Sequence, residues 1–234
     1  MCGRYVTPDE AALERSWTLD RRNSNPFRQS FNVAPTSIVP IVRRAEEGTY
    51  ALSTARWGLI PHWWSKATPP PLTFNARSED AATKPMWREA FRHRRCLMPA
   101  RGWYEWNARE LVHAGGKGRP VKQPYYIHCA QSPVIAFAGL MANWRAPDGE
   151  RVASCALLSR DAAPVIAHIH DRMPVVRGPE AFAAWLDPDR GVEELKELVA
   201  GARGDFIGHR VSTRVNSARS DSPDLVQDVG VSER

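Results

Sequence analysis

Cysteine is scarce in this chain of 234 residues: Cys2, Cys96, Cys129 and Cys155 stand far apart, with no CxxC pair and no metal-ligand spacing. That scatter excludes a disulfide framework or a zinc ribbon and reads as free thiols in a reducing compartment, so neither metal nor cofactor is expected. No apolar run approaches the roughly 20 residues that a membrane-spanning helix needs. The N-terminus lacks a charged segment followed by an apolar stretch, so no signal peptide is read and a cytoplasmic protein without a membrane partner is expected. Linker-like segments and internal repeats are also missing. With 43% hydrophobic and 25% charged residues, the chain fits one globular domain with a sizeable core.

Lysine is short as well. Of the 32 basic residues 27 are arginine, and the formal net charge is +6. The arginine fork matches phosphate oxygens bidentately, which makes nucleic acid a partner to consider. Codon bias in a GC-rich genome enriches arginine too, so charge raises that reading only modestly.

Against these absences stands the start of the chain, Met1-Cys2-Gly3-Arg4-Tyr5. Removal of Met1, expected before a small side chain, leaves Cys2 as an N-terminal 1,2-aminothiol. An α-amino group has a pKa of about 7.7–8.0, against about 10.4 for lysine, so a usable fraction is nucleophilic at neutral pH. Such a terminus suits two chemistries: acyl attack by the thiol, or capture of an aldehyde by both atoms as a five-membered thiazolidine.

Helix signals begin at Pro8–Trp17, with Thr7 read as N-cap and Glu10 three residues on. Strand patterns follow at Ser37–Arg43, Thr49–Leu59, Arg95–Met98, Gly102–Asn107, Pro124–Cys129, Val134–Ala142 and Val152–Leu158, and again at Ile207–Val215. Met86–His93, Pro179–Leu186 and Val192–Val199 read as helices. Strands dominate without βαβ alternation, which predicts an α+β domain with a curved, mostly antiparallel, barrel-like sheet and peripheral helices. Gly115–Pro120 reads as a hairpin tip or loop, and the polar Asp221–Arg234 as a fraying end.

Four segments carry possible chemistry. In Thr73-Phe74-Asn75-Ala76-Arg77-Ser78-Glu79, Asn75 offers an amide to orient an oxygen and Arg77 a phosphate clamp, unless Asn75 or Ser78 caps a helix. In Arg101–Trp106 a strand puts Glu105 on the face of Trp103, with Tyr104 and Trp106 opposite. A carboxylate beside large aromatics loses solvation, which raises its pKa toward useful proton transfer; a core strand with one solvated acid is the alternative. In Ala167–Pro174, His168 and His170 have no further ligands in view for a metal, and one of them as acid/base with Arg172 on a phosphate is the better reading. In Arg56–Lys66 the adjacent Trp63 and Trp64 cannot both face a core if extended. One ring therefore faces solvent, either to stack on a base or as part of a loop packed over the sheet.

In combination, Met1–Tyr5, Asn32-Val33-Ala34-Pro35, Trp57–Pro61 with Trp63-Trp64, Asn75–Glu79, Gly102–Trp106 and Ile169–Pro174 closely resemble the SOS-response-associated peptidase (SRAP) family. Val211–Asn216 resembles that family's closing strand. The resemblance implies one abasic-site processing domain over 1–225 and a tail over 226–234. It implies a sensor of abasic sites in single-stranded DNA that links itself to the damage as a thiazolidine, shields the strand from cleavage, and carries a peptidase activity that removes Met1. Transferred residue by residue, it makes Cys2 the nucleophile, Asn75 the positioner, Glu105 the proton carrier and His170 the assistant in sugar opening. Arg4, Arg77 and Arg172 are implied to hold phosphates, with Trp63 and Trp64 stacking at the damage; His168 matches no functional position. A monomer suffices for one strand, held at the nucleoid when DNA-bound. Class II glutamine amidotransferases share only Met-Cys-Gly, and a non-covalent reader of single strands would use the tryptophans and arginines alone.

Overall fold

The structure, a computed structural model, describes residues 2–17, 19–20, 27–45, 49–113 and 119–230. In chain order the strands are β1 (Tyr5–Val6), β2 (Leu19–Asp20), β3 (Ile38–Arg44), β4 (Tyr50–Trp57), β5 (Asn75–Arg77), β6 (Arg95–Ala100), β7 (Gly102–Val112), β8 (Val121–His128), β9 (Ile135–Arg145), β10 (Arg151–Asp161), β11 (Arg172–Pro174), β12 (Val176–Arg177) and β13 (Ile207–Arg210). The helices are α1 (Glu10–Ser16), α2 (Ser78–Ala81), α3 (Arg88–His93), α4 (Phe182–Leu186) and α5 (Val192–Ala200).

Long strands apolar on both faces must bury both. Ile135 and Phe137 of β9 join one core, with Val39, Trp57, Met98 and Leu157; the intervening Ala136 and Ala138 join the other. Helices cover that second face through Leu13, Phe91, Trp185 and Leu195. The sheet closes on itself: β10 pairs with β4, β4 with β3, β3 with β6, β6 with β9, and β9 with β10. Within this ring only the β10–β4 pairing is parallel. A second antiparallel sheet, in the order β1-β7-β8-β13, sends Tyr5, Trp103 and Ile127 into the first core. The expected α+β class with a curved, barrel-like sheet is the observed one.

Local differences have physical causes. Asp9, not Thr7, caps α1, accepting from Ala12 N at 2.8 Å. The Thr7 hydroxyl is spent on Ser30 N at 2.7 Å, across the chain. The strand expected over Ile207–Val215 ends at Arg210, because Ser212 accepts from Arg214 N and turns the chain into a 3-10 turn at Thr213–Asn216. Residues 221–230 do not fray: Asp221 accepts from Phe31 N at 2.5 Å, Leu225 is buried, and Val229 N donates to Arg210 O at 3.0 Å. Within the loop expected at Gly115–Pro120, residues 115–118 lie outside the described residues. No helix among the described residues is long and apolar enough to cross a membrane.

Candidate active site

Cys2 enters the structure as the residue ahead of an edge strand. β1 lies antiparallel to β7, with Tyr5 opposite Trp103 and Val6 opposite Gly102. Tyr104 N donates to Arg4 O at 2.9 Å, and Val33 N to Tyr5 O at 2.9 Å. Glycine is needed at 102, where a Cβ would strike the Ile127 carbonyl and the Tyr126 ring. So held, Cys2 is 1% exposed among the apolar residues between the sheets, its Sγ 3.6 Å from Arg4 O. Burial pushes its thiol well above the ordinary cysteine value, and the nearby Glu105 carboxylate adds to the rise.

Asn75 opens β5, which lies parallel to β10 with Asn75 opposite Leu157. Its Nδ2 donates to the Cys2 carbonyl at 2.7 Å. Its buried Oδ1 has no hydrogen-bond partner among the described residues, leaving one acceptor for a substrate hydroxyl.

Glu105 sits on β7 opposite Tyr125. The strand alternates as expected: Trp103 faces the core that contains Cys2, while Tyr104 and Trp106 pack in a third cluster with Val211 and Val215. Glu105 is 1% exposed, and burial pushes its carboxyl up to about 8. It is therefore mostly neutral at pH 7 and able to donate a proton.

His170 lies in the turn between β10 and β11, with Nε2 3.7 Å from Glu105 Oε2. Arg172 N donates to its Nδ1 at 2.9 Å, so the neutral ring carries its proton on Nε2, on the side of Glu105. Asp171 Oδ1 is also 2.9 Å from Nδ1, an approach that becomes a hydrogen bond only in the protonated ring. Burial outweighs it and pushes His170 below its ordinary value. The exposed His168 contributes its carbonyl to Asn107 Nδ2.

The expected phosphate clamps divide into two kinds. Arg77, at the end of β5, is exposed. Arg4 and Arg172 have protein partners. Arg4 Nη1 donates to Asn32 Oδ1 at 3.0 Å and Val215 O at 2.8 Å. Arg172 sets its fork on Glu79, at 2.7 and 3.0 Å, and reaches Asp161 Oδ1 at 2.6 Å and Ser159 O at 2.9 Å. It thus ties the segment following Asn75 to the turn that carries His170. Trp63 is 49% exposed. Trp64 packs with Ile60 and Trp144, its Nε1 donating to Thr68 O at 2.9 Å. Asn32 has no role legible from sequence, although it stands in one of the motifs that resemble the family. It is buried, and its Nδ2 holds the carbonyls of Val215, Ser217 and Ser220 that shape the floor under Arg4.

Four segments distant in sequence therefore bring a buried cysteine, an amide, a buried carboxyl and an imidazole to one place. The model of the SOS response associated peptidase (SRAP) family matches residues 1–218. The chain belongs to the SRAP family. Similar curated proteins carry a common description. The abasic site processing protein YoqW of Bacillus subtilis is 30% identical over 232 residues, 97% of this chain and 99% of its own. YedK of Escherichia coli, also named an abasic site processing protein, is 31% identical over 202 residues, 85% of this chain and 84% of its own. HMCES of Gallus gallus, with the same description, is 30% identical over 269 residues, 97% and 77% of the two chains.

Among solved structures, a Bacteroides thetaiotaomicron protein matches with a TM-score of 0.76 over 97% of this chain and 99% of its own, at 21% identity. That likeness carries the fold alone. A phage-related protein of Bordetella bronchiseptica matches with a TM-score of 0.66 and 29% identity over 90% and 94%. In this SRAP protein the fold, the family and the abasic-site processing of its relatives point the same way.

Proposed function

We propose that this protein captures the aldehyde of an abasic site in single-stranded DNA through the N-terminus of Cys2, after removal of Met1, and holds it as a thiazolidine. The observation that carries the reading is the 2.7 Å hydrogen bond from Asn75 Nδ2 to the Cys2 carbonyl, which fixes the nucleophilic residue beside a buried carboxyl.

A thiol pushed up by burial stays protonated at neutral pH, so it is a poor first nucleophile and the amine leads. The ring-opened sugar presents its aldehyde to the uncharged amine, and a carbinolamine forms. Its hydroxyl leaves as water on accepting a proton from neutral Glu105, giving a protonated imine. The Cys2 thiol then adds to the imine carbon. Sulfur forms the new bond, the thiol proton passes to the Glu105 carboxylate, and the C=N π electrons return to nitrogen as its lone pair, which closes the five-membered ring. The balance is one aldehyde and one aminothiol giving one thiazolidine and one water. His170, with its proton on Nε2, assists opening of the sugar hemiacetal. An imine at the sugar carbon invites β-elimination and strand cleavage, so its conversion to a thiazolidine protects the strand.

Exposed Arg77 and Trp63 meet the DNA in this reading, a phosphate on the one and a base on the other. Arg4, Arg172 and Trp64 support that surface through the bonds and packing they make within the protein; Arg4 turns its exposed Nη2 edge to a phosphate, whereas Arg172, with both Nη groups donated to Glu79, Asp161 and Ser159 and its Nε buried, adds positive charge and holds the His170 turn in place. Residues 1–225 act as one unit on one strand, as a cytoplasmic monomer. In release of Met1 by the protein itself, the Cys2 thiol adds to the Met1 carbonyl as its proton passes by way of Glu105 to the departing Cys2 nitrogen, and the Met1–Cys2 C–N bond breaks to leave a thioester. Water then cleaves the thioester to free methionine and restore the thiol.

The test is a denaturing gel of the protein incubated with single-stranded DNA carrying one abasic site, beside Cys2→Ala. A heat-resistant shifted band with the parent protein and none with the variant is expected. Equal bands, or none from protein lacking Met1, contradict the proposal.

A further inference from the structure

Glu105 is followed on its own face of β7 by a second polar residue, Asn107, which is also buried. The register of β7 with β8 is regular from Trp103 to Asn107 and shifts before Leu111. Breaks of this kind re-aim side chains beside a site. Asn107 braces the break, its Oδ1 accepting from Arg109 N at 2.9 Å. Next to it stands Tyr125, the residue opposite Glu105 on β8, whose hydroxyl the Asn107 side chain also meets. Tyr125 donates to Glu110 Oε2 at 2.7 Å, and Arg210 Nε donates to Glu110 Oε1 at 2.6 Å. The Asn107 amide therefore starts from a fixed point.

From there Nδ2 donates to the His168 carbonyl at 3.3 Å, in the connection between β10 and β11 that carries His170. Other anchors tie this connection elsewhere. Ala162 N donates to Asp171 O at 2.9 Å across its neck, and Arg172 braces the neck through Glu79 and Asp161. Buried Ile169 leans on β13 at Gly208, where a Cβ would lie 2.5 Å from Ile169 Cδ1. The Asn107 bond instead ties it to the strand of Glu105. One step of two residues leads along β7 from Glu105 to Asn107, and another leads from His168 to His170. The bond closes a bracket whose two jaws are Glu105 and His170, with Nε2 and Oε2 3.7 Å apart.

Building on the proposed abasic-site capture, we infer that Asn107 is a positioning residue for opening of the abasic sugar, its bond to the His168 carbonyl setting the gap between the His170 imidazole and the Glu105 carboxyl. In that step the anomeric hydroxyl gives up its proton, the bond from the anomeric carbon to the ring oxygen breaks, and the ring oxygen takes a proton. One hemiacetal gives one hydroxyaldehyde and nothing else is consumed. The Glu105 carboxyl has both an acceptor oxygen and an O–H, so it takes the first proton and gives the second, while His170 Nε2–H bonds the ring oxygen as charge builds there. Both groups must meet one sugar at once, so their spacing weighs on ring opening more than on capture of an aldehyde already free.

The test measures initial cross-linking rates on two single-stranded oligonucleotides, one with an abasic site and one with an aldehyde on an acyclic linker that has no hydroxyl to close a ring. The readout is the ratio of the first rate to the second. Losses from impaired folding slow both substrates alike and leave the ratio unmoved. In Asn107→Leu and in Asn107→Ala the ratio is expected to fall about two- to tenfold below that of the parent protein, the worth of one neutral hydrogen bond. It should also fall in His170→Ala, and Asn107→Leu/His170→Ala should fall no further than His170→Ala alone, because Asn107 acts through His170. The inference is overturned if both Asn107 variants keep the parent ratio, if His170→Ala keeps it, or if the double variant falls by the product of the two single effects. Absence of a Cys2-dependent product from the parent protein with either substrate would instead refute aldehyde capture itself, so the two failures are told apart.

Discussion

Asn75 holds Cys2 by its carbonyl: Nδ2 to O is 2.7 Å, and both residues are buried. Ahead of β1, this side-chain bond joins Cys2 to β5 and so to the closed sheet. Asn75→Ala leaves a buried carbonyl unpaired, at a cost of about 1–3 kcal/mol. Cross-linking by Asn75→Ala is expected to slow by about tenfold or more, since each 1.4 kcal/mol is a factor of ten. A rate equal to that of the parent protein, in a variant whose thermal unfolding is cooperative, would refute the positioning role.

Glu105 sets a pH dependence with a definite sign. Its carboxyl rises from 4.5 to about 8 on folding because burial disfavours the charge. The unfolded chain therefore releases its proton first, and the stability associated with Glu105 is full below the ordinary value and is lost as pH rises through the folded one. Melting temperature should fall between about pH 4.5 and pH 8 in the parent protein, and fall less in Glu105→Gln. Cross-linking should decline above about pH 8 as the acid form disappears. Identical melting profiles for parent and Glu105→Gln would contradict the assignment.

The two adjacent tryptophans separate in their effects. Trp63, half exposed, is expected to weaken DNA binding by about 1–3 kcal/mol when changed to alanine, with little change in melting temperature. Trp64 packs on Ile60 and Trp144, so Trp64→Ala should destabilise the fold by about 2–3 kcal/mol, part of its ring already being open. Fluorescence anisotropy with a single-stranded oligonucleotide and thermal melts of both variants check the contrast.

Cys2→Ser keeps the amine and replaces sulfur by oxygen. It should still condense with an abasic aldehyde, but the product should be much less durable to heat than the parent link, as a time course at raised temperature would read. Equal durability would remove sulfur from the product.

Much of the fold is legible in the sequence because strong periodicity survives in a chain with both strand faces buried: strand patterns coincide with the long strands β3, β4 and β6 to β10. Strands of two or three residues, such as β5 and β11, have no period to read, yet they carry Asn75 and frame His170. Glu105 is legible because a strand fixes which neighbours share its face. The partners of Arg4 and Arg172 are not, since a sequence displays a charge but not the carboxylates or carbonyls that meet it 93 and 211 positions away at Glu79 and Val215. Asp9 displaces Thr7 as cap for a related reason: the Thr7 hydroxyl has a tertiary partner in Ser30.

The most direct measurement is mass spectrometry of the protein digested with trypsin after reaction with an abasic oligonucleotide and nuclease trimming. The account predicts that the peptide Cys2-Gly3-Arg4, without Met1, carries the sugar remnant as one added aldehyde less one water, at both the amine and sulfur of Cys2. A remnant on a lysine or on His170, with Cys2-Gly3-Arg4 unmodified, would contradict it.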